Sequence, residues 1–170
     1  MNVMDAIKAR RSIRSYKDQP VEPEKLQQVL EAARLAPSAN NRQEWKFIVV
    51  QDPATRQALV RPCHNQAFVS QAPVVIAACS TNPTRVMASG QSAAAVDLTI
   101  AVDHLTLVAV ELGLGTCWIG AFDAPAVAKL LGVPSDVAVV HVLPLGYPAD
   151  SPGAHRAKPA SEVICHEKWS

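Results

Sequence analysis

The sequence predicts a layered fold of the α/β or α+β class, built as one domain. Three observations support this prediction. Segments with helical spacing are intermixed with short strand-like runs, apolar residues make up 49% of the 170 residues, and no repeat, low-complexity run or linker divides the chain. A chain of this length and composition can bury a core of its own. We therefore expect a single domain over residues 1–170.

Two helices are predicted at the start of the chain. Asn2 is a suitable N-cap for a short helix that runs to about Arg10. Residues 21–37 predict a second helix, because Pro23 suits its first turn and Pro37 follows its end. Apolar residues between these two prolines recur at helical spacing, so one face of this helix should pack on the core.

Two strand-like runs follow, with a helical segment between them. The run WKFIVV, residues 45–50, is typical of a strand. The run DPATRQALV after it should be helical, with Asp52 as the cap. Residues 72–80, APVVIAACS, are continuously apolar and predict a buried central strand.

The longest periodic segment is residues 92–113, which would span about 30 Å as a helix that ends at Gly113. It is apolar on nearly all sides, so we expect it to be buried all round, partly by a second subunit. Four polar side chains argue against a membrane span: Asp97, Asp103, His104 and Glu111.

The last third of the chain predicts a short strand or strand-like turn over residues 116–122 and a helix over residues 123–132 capped by Asp123. A further strand is predicted within residues 136–148. The tail that follows is polar and loop-like, but it closes on apolar residues that should dock on another surface: Val163, Ile164 and Trp169.

Charge and cysteine usage exclude several classes of function. With 16 basic and 15 acidic residues, the net charge of +1 provides no field for nucleic acid or a membrane surface. The four cysteines form no CxxC pair and the five histidines no HExxH motif, so we predict no metal. Unpaired cysteines and the lack of an apolar signal core in residues 1–15 indicate the reducing cytoplasm.

The run ARRSIRSY, residues 9–16, concentrates basic side chains at the end of the first helix; we call residues 10–14 the basic turn. Guanidinium groups and a serine hydroxyl match the geometry of a phosphate ester. The alternative is a solvated helix end, where arginines favour the helix dipole. Because the overall charge is nearly balanced, the cluster suggests a local purpose.

Residues 36–45, APSANNRQEW, form a proline-broken loop that we call the amide loop. Its polar side chains could read the edge of a heteroaromatic ring, or they could form an Asx-type turn that stops the preceding helix. The residues concerned are Ser38, Asn40, Asn41 and Gln43.

Residues 113–123, GLGTCWIGAFD, are called the glycine segment. Glycines let the backbone approach a planar ligand closely. The segment is neither GxGxxG nor a phosphate-binding loop of the GxxxxGK type, so a Rossmann dinucleotide site is unsupported.

Six stretches in this order resemble the nitroreductase family of FMN-dependent oxidoreductases, from about residue 3 to the C-terminus: ARRSIRSY, APSANNRQEWKFIVV, QAPVVIAAC, LGLGTCWIGAF, LPLGYP and RAKPASEVICHEKW. The resemblance implies an α+β fold with a central mixed β-sheet flanked by helices. It also implies an intertwined homodimer with FMN bound non-covalently at the interface, the chain ends crossing onto the partner.

Carried over position by position, the resemblance implies the cofactor contacts. The residues that would bind the phosphate and ribityl groups are Arg10, Arg11, Ser12, Arg156 and Lys158, and Arg14 would lie at the pyrimidine end of the ring. The other subunit would contact the ring through Pro37, Ser38, Ala39 and Asn41. Asn65 or Gln66 would point at the ring, and the segment near its N5 atom would consist of Trp118, Ile119, Gly120 and Ala121.

The implied activity is a ping-pong transfer of hydride from NADH or NADPH through flavin N5 to a nitroaromatic, a quinone or a similar acceptor. No side-chain nucleophile or base is required, and Arg14 is a candidate for stabilising the reduced flavin. Three alternatives stay open. One is a same-fold enzyme that degrades or rearranges flavin, dehalogenates rings or oxidises heterocycles. The second is a non-enzymatic FMN-binding protein, and the third is a structural protein whose arginine turn is only solvated surface.

Three departures from the family pattern stand out. Glu44 occupies the position of the proline in the family's Gln-Pro-Trp, so the loop should be looser there or Glu44 should contact substrate. His104 lies where relatives often carry an amide, and we interpret it as a core or interface residue. The chain also contains little sequence from which to build a lid over the flavin.

We interpret Cys117, within the glycine segment, as a small buried hydrophobe.

Overall fold

A four-stranded sheet carries helices on both faces in the computed structural model, which describes residues 1–151, 153 and 156–169. The strand order is β1-β2-β4-β3, and each neighbouring pair is antiparallel. The strands are β1 (Trp45–Val50), β2 (Val74–Ser80), β3 (Gly115–Thr116) and β4 (Ala138–Gly146).

The predicted α+β class is confirmed. The predicted mixture of parallel and antiparallel pairing is limited, because the four strands pair only in antiparallel fashion. Within the described residues, the one parallel pairing is the single bridge between Ser12 and Thr116. It adds the basic turn to the edge of the sheet beside β3. The sheet therefore delivers this turn to the same edge as the start of the glycine segment.

Local sequence signals place most of the helices. The side chains of Asn2, Asp52 and Asp123 accept backbone N–H groups at the predicted helix starts. Two helices of four residues each were not predicted. The helices are α1 (Val3–Ala9), α2 (Pro23–Arg34), α3 (Pro53–Val60), α4 (Phe68–Gln71), α5 (Ala93–Glu111), α6 (Ala124–Leu130) and α7 (Ala160–Val163).

Strand β2 is central, and all seven of its residues are buried. One face of the sheet packs against α2 and α5, through residues such as Val29, Ile76 and Leu105. The opposite face packs against α3 and α6, through Leu59 and Val127. Each fully buried aliphatic side chain stabilises the fold by about 1.5–3 kcal/mol. Burial on both faces explains why the run is apolar without alternation.

Helix α5 ends as predicted at Gly113, whose φ of 75° lies in the left-handed region that favours glycine. The N–H groups of Gly113 and Leu114 donate to the carbonyls of Val110 and Ala109, which is the Schellman pattern. This turn reverses the chain into β3. By length and composition alone α5 could also cross a membrane, a test that the core helix of a globular protein passes equally.

The expectation that α5 is buried all round is wrong for a single chain. One side packs against α2 and the sheet, but the side that carries Ala95, Val96, Thr99 and Asp103 is exposed. The described residues supply no element that covers this side. A helix of this apolar character with one uncovered side is typical of an interface between subunits.

Candidate functional site

The basic turn is fixed to the sheet by its backbone. The Ile13 N–H donates to the Thr116 carbonyl at 2.9 Å, and the buried Tyr16 hydroxyl donates to the Ile13 carbonyl at 2.9 Å. Ile13 is buried, so its neighbours Ser12 and Arg14 face the other way in this extended stretch. The fold therefore turns the hydroxyl and a guanidinium of this segment outward.

The arginines of the basic turn have different partners. Arg11 donates from Nε to the Gly153 carbonyl at 3.0 Å and from Nη1 to the Lys8 and Arg10 carbonyls at 2.7 Å. It therefore caps α1 and holds the tail, a role different from the phosphate contact that the resemblance implies. Among the described residues, neither Arg10 nor Arg14 has a hydrogen-bond or ion-pair partner, so both charges are available to an anionic ligand.

Cys117 follows Thr116, the residue of the glycine segment that bridges to the basic turn. Burial raises the pKa of its thiol above the ordinary value, while the charges of Arg14 and, to a smaller extent, Arg10 act to lower that pKa. The thiol is therefore protonated at neutral pH and packs as a small apolar group, which agrees with the interpretation from the sequence. The bridge between Ser12 and Thr116 brings the basic turn, which carries both guanidinium groups, beside this segment.

Beyond Cys117 the glycine segment presents open backbone. The Ile119 N–H donates to the Val142 carbonyl at 3.0 Å, which fixes the segment against β4. The Trp118 ring packs edge-on against His141, with 4.9 Å between the ring centroids. A Cβ added at Gly120 would meet nothing within 4 Å. Gly120 and Ala121 are exposed, so a flat ligand can lie against this backbone.

The loop after α3 lies beside the same segment. Gln66 Nε2 donates to the Cys63 carbonyl at 2.9 Å and to the Ala121 carbonyl at 3.1 Å, so this amide joins the two loops. Asn65 is exposed with a φ of 58°, and its side chain has no hydrogen-bond partner among the described residues. Of the two amides suggested by the sequence, the geometry favours Asn65 as the ligand contact.

The amide loop uses its acceptors internally and leaves donors free. Ser38 Oγ accepts the Gln43 N–H at 2.9 Å, and Asn41 Oδ1 accepts from Gln43 Nε2 at 2.9 Å. Across the part of the chain that the structure describes, the Ser38 O–H and the Asn41 Nδ2–H groups have no acceptor. Such donors suit the carbonyl oxygens and ring nitrogens of a heteroaromatic ligand. Pro37 is exposed beside them.

Glu44 is held firmly at the end of the amide loop. Its carboxylate accepts hydrogen bonds from Arg85 at 2.6 Å and from Asn82 at 3.1 Å. The expectation of a looser side chain at this position is therefore wrong, because Asn82 and Arg85, both distant in sequence, hold it.

The amide loop and the basic turn lie at opposite ends of α5. The Ala39 N–H donates to Asp97 Oδ1 at 3.1 Å, near the N-terminal end of the helix. The basic turn lies beside Thr116, beyond the C-terminal end. The helical rise separates Asp97 from Glu111 by about 21 Å. One chain therefore places the basic turn beside the start of the glycine segment and holds the amide loop near the other end of α5.

The described residues of the C-terminal tail, 153 and 156–169, are exposed, and the tail is held to the basic turn at Gly153. Its Gly153 carbonyl accepts the bond from Arg11, and Arg156 and Lys158 follow three and five positions later, both exposed. Neither cation has a hydrogen-bond or ion-pair partner within the described ranges. Farther along, Trp169 is 96% exposed, and Val163 and Ile164 are exposed with it.

His104 lies away from these segments, in an apolar groove of about 400 Å³ between α1, α2 and α5. His104 is half-buried there, and its interpretation as a core or interface residue stays a prediction. No group of three or more metal-ligating side chains occurs among the residues described. His155, which the sequence analysis included among the histidines without ligand spacing, lies outside the described residues.

The arrangement fits the FMN that the resemblance implies. The unpartnered Arg10 and Arg14 charges suit its phosphate and pyrimidine ends, and the open backbone at Gly120 leaves room for a flat ring. The free donors of the amide loop complement the ring's acceptors when a second copy supplies them. The backbone at Ser12 and at Ile119 is fixed by single bridges to Thr116 and Val142, respectively.

Comparisons with known proteins show which family this chain resembles. The nitroreductase family model matches residues 7–70 and 57–147. A protein of Thermus thermophilus named NADH dehydrogenase is 33% identical over 202 residues, covering 95% of this chain and 96% of its own length. A Bacillus subtilis protein named FMN reductase (NAD(P)H) is 32% identical over 187 residues, covering 98% of this chain and 73% of its own. A solved FMN-dependent nitroreductase of Clostridium difficile superposes with a TM-score of 0.85 at 30% identity, covering 98% of this chain and 99% of that one.

Proposed function

The chain belongs to the nitroreductase family, and on that premise we propose that it is an FMN-dependent oxidoreductase that transfers hydride from NADH or NADPH to nitroaromatic, quinone or similar acceptors. The observation that carries the proposal is the pair of unpartnered cations, Arg10 and Arg14, on a basic turn that is bridged to the start of the glycine segment, whose backbone is open at Gly120. The names of the Bacillus subtilis and Clostridium difficile relatives support FMN as the cofactor and NAD(P)H as the donor.

The phosphate of FMN would be held by cations from two stretches of one chain. Arg10 and Ser12 would bind it from the basic turn, and Arg156 and Lys158 from the tail that Arg11 anchors. A charge-assisted hydrogen bond contributes about 1.5–3 kcal/mol, so several of them retain a cofactor without a covalent link. Arg14 would stand at the pyrimidine end.

FMN, when bound, supplies hydride acceptance and donation at its N5 atom. The chain's own residues position and expose it. The bond from Ile119 to Val142 keeps the glycine segment fixed, and the missing side chain at Gly120 lets backbone lie beside the ring. Arg14 would place a positive charge where negative charge develops. In a ping-pong sequence, the hydride donor and the acceptor would occupy the site in turn.

The active form is a homodimer in this proposal. The separation of the basic turn from the amide loop along α5 supports it, as does the uncovered side of that helix. The exposed apolar residues of α1 and of the tail would dock on the partner: Val3, Met4, Ile7, Val163, Ile164 and Trp169. The cytoplasm suits this protein, because its buried thiols Cys63, Cys79 and Cys117 are free.

An absorption spectrum of the purified protein tests the proposal. We expect bound yellow flavin that bleaches when NADH or NADPH is added and whose absorbance returns when a quinone follows. A protein that stays colourless after incubation with excess FMN and desalting contradicts the proposal. Bound flavin that neither nucleotide bleaches indicates the non-enzymatic alternative, and bleaching without turnover of quinones or nitroaromatics indicates a same-fold enzyme of different chemistry.

A further inference from the structure

Three charged side chains from separate parts of the chain meet near the N-terminal end of α5. Arg85 donates from Nε to Glu44 Oε2 at 2.6 Å and from Nη2 to Asp97 Oδ2 at 3.1 Å. The side chains of Arg85, Glu44 and Asp97 are only 16%, 22% and 8% exposed. Ion pairs this far from water are screened less by salt than surface pairs, so the contact is a persistent one.

The two carboxylates use their remaining oxygens to hold backbone and neighbouring loops. Asp97 Oδ1 accepts the Ala39 N–H at 3.1 Å, and Glu44 Oε1 accepts from Asn82 Nδ2 at 3.1 Å. The hydrogen bond from Asn82 lowers the pKa of Glu44 most, burial opposes it, and Arg85 lowers it further. Glu44 is therefore ionised at neutral pH and pairs with Arg85 as a full charge.

The amide loop needs such anchoring because its backbone conformation is unfavourable. Asn40, Asn41 and Gln43 have φ angles of 56°, 52° and 51°, in the left-handed region that non-glycine residues rarely adopt. Such residues persist only where surrounding contacts fix them. The loop's internal bonds from Ser38 and Asn41 are exposed to solvent, whereas the bonds through Arg85 are largely shielded.

We propose that Arg85 is a positioning residue for cofactor binding: by joining Glu44 to Asp97 it fixes the amide loop in the conformation that presents its donors to FMN. It touches no predicted cofactor contact itself, and it acts through Glu44, Asp97 and the Ala39 N–H. The network takes the place of a proline at position 44, whose ring would fix φ covalently. The inference rests on the proposed function and adds a residue outside the implied contacts.

The test is an FMN titration of apo-protein, followed by quenching of flavin fluorescence and by visible circular dichroism of the bound flavin. In Arg85→Met we expect the Kd for FMN to rise by about tenfold or more, the factor of one lost charge-assisted hydrogen bond, and the dichroism to change. Arg85→Lys, which keeps the charge, should recover part of both signals.

Arg42→Met is the matched control. Arg42 also pairs with Glu44, at 3.7 Å, but its side chain is 53% exposed. An exposed pair of this kind contributes little, so its loss should change the Kd by less than about threefold. Thermal unfolding and sedimentation of each apo-variant show whether it folds and associates as the wild type does.

An Arg85→Met protein with the affinity and dichroism of the wild type overturns the inference. So does a loss of affinity that Lys does not recover and that follows dissociation of the dimer, because the network then serves overall stability. Should Arg85→Met not fold, Glu44→Gln carries the test, with the same two signals changing in the same direction by a smaller amount. Wild-type apo-protein that takes up no FMN contradicts the proposed function instead.

Discussion

Ser12 and Thr116 lie opposite each other in a parallel bridge, and the Ile13 N–H donates to the Thr116 carbonyl at 2.9 Å. Residues at the start of the chain are thereby held beside the segment that follows α5. This bridge joins the basic turn, which carries the free cations Arg10 and Arg14, to the start of the glycine segment. The site depends on a few backbone bonds between distant stretches, and its parts can be tested separately.

Arg14→Ala should lower the reduction potential of bound FMN by about 30 mV or more, which corresponds to ~1.4 kcal/mol for a two-electron couple. The lost guanidinium is a positive charge beside the pyrimidine end, where reduction adds negative charge. Dye-equilibrated reduction measures the potential, and stopped-flow absorbance should show slower reduction by NAD(P)H. The exposed Lys17→Ala is the control, and an unchanged potential in Arg14→Ala contradicts the assignment.

Gly115→Ala should destabilise the protein by about 1–3 kcal/mol, because a Cβ there would collide with the Ile13 side chain and lie 3.0 Å from Pro148 Cγ. Urea denaturation of apo-protein measures the free energy of unfolding. Gly120→Ala is the matched variant, since its Cβ meets nothing within 4 Å. We expect its stability to change by less than about 0.5 kcal/mol while its affinity for FMN falls. Equal losses of stability in both variants would argue against the described packing.

Trp169→Ala should weaken the dimer about 30-fold or more, the effect of losing an aromatic residue that contributes ~2 kcal/mol to an interface. The side chain is 96% exposed in one chain, and in the proposed dimer it would be buried against the partner. Analytical ultracentrifugation over a range of protein concentrations gives the dissociation constant. Leu130→Ala, on α6 at the opposite face of the sheet, should leave it unchanged. An unaltered dimer in Trp169→Ala would show that the tail docks elsewhere.

Stability should fall as the pH is lowered below about 6.5, through His141. Burial lowers the pKa of this ring below its ordinary value of 6.5, so the unfolded chain binds the proton more readily than the folded one. The contribution is complete above pH 6.5 and is lost as the pH drops below it. Urea denaturation at several pH values measures the effect, and NMR titration gives the pKa.

His141→Gln should flatten this pH dependence, because its amide has no proton to gain. The ring also packs against Trp118 and lies 3.1 Å from Thr99 Oγ1 through Nε2, so protonation should disturb the glycine segment. An NMR pKa at or above 6.5, or an identical profile in the variant, contradicts this prediction.

Local features made most of the fold predictable from the sequence. Asn2, Asp52 and Asp123 accept the backbone bonds that their positions suggested, and Gly113 ends α5 with the expected positive φ. The continuous apolar run of β2 predicted a strand covered on both faces. Signals of this kind depend on neighbours within four residues, which a sequence displays directly.

The candidate site was predictable only in part, since its partners are far apart in sequence. Arg10 and Arg14 remain available as expected, whereas Arg11 bonds to Gly153, 142 positions away. The network at Arg85 was missed because its link to Glu44 spans 41 positions and no local pattern marks it. Helices α4 and α7, each of four residues, are too short to show a period.

The placement of the amide loop at one end of α5 and the basic turn at the other has a genetic consequence. In the symmetric dimer proposed above, each pocket would contain the basic turn of one chain and the amide loop of the other. One variant would carry substitutions in the arginines of the basic turn and a second variant would carry substitutions in the amide loop, each inactive alone. In a heterodimer of the two, one pocket would contain both wild-type segments and the other would contain both substituted segments. Co-expression of the two inactive variants should therefore restore flavin binding and turnover that neither variant shows by itself.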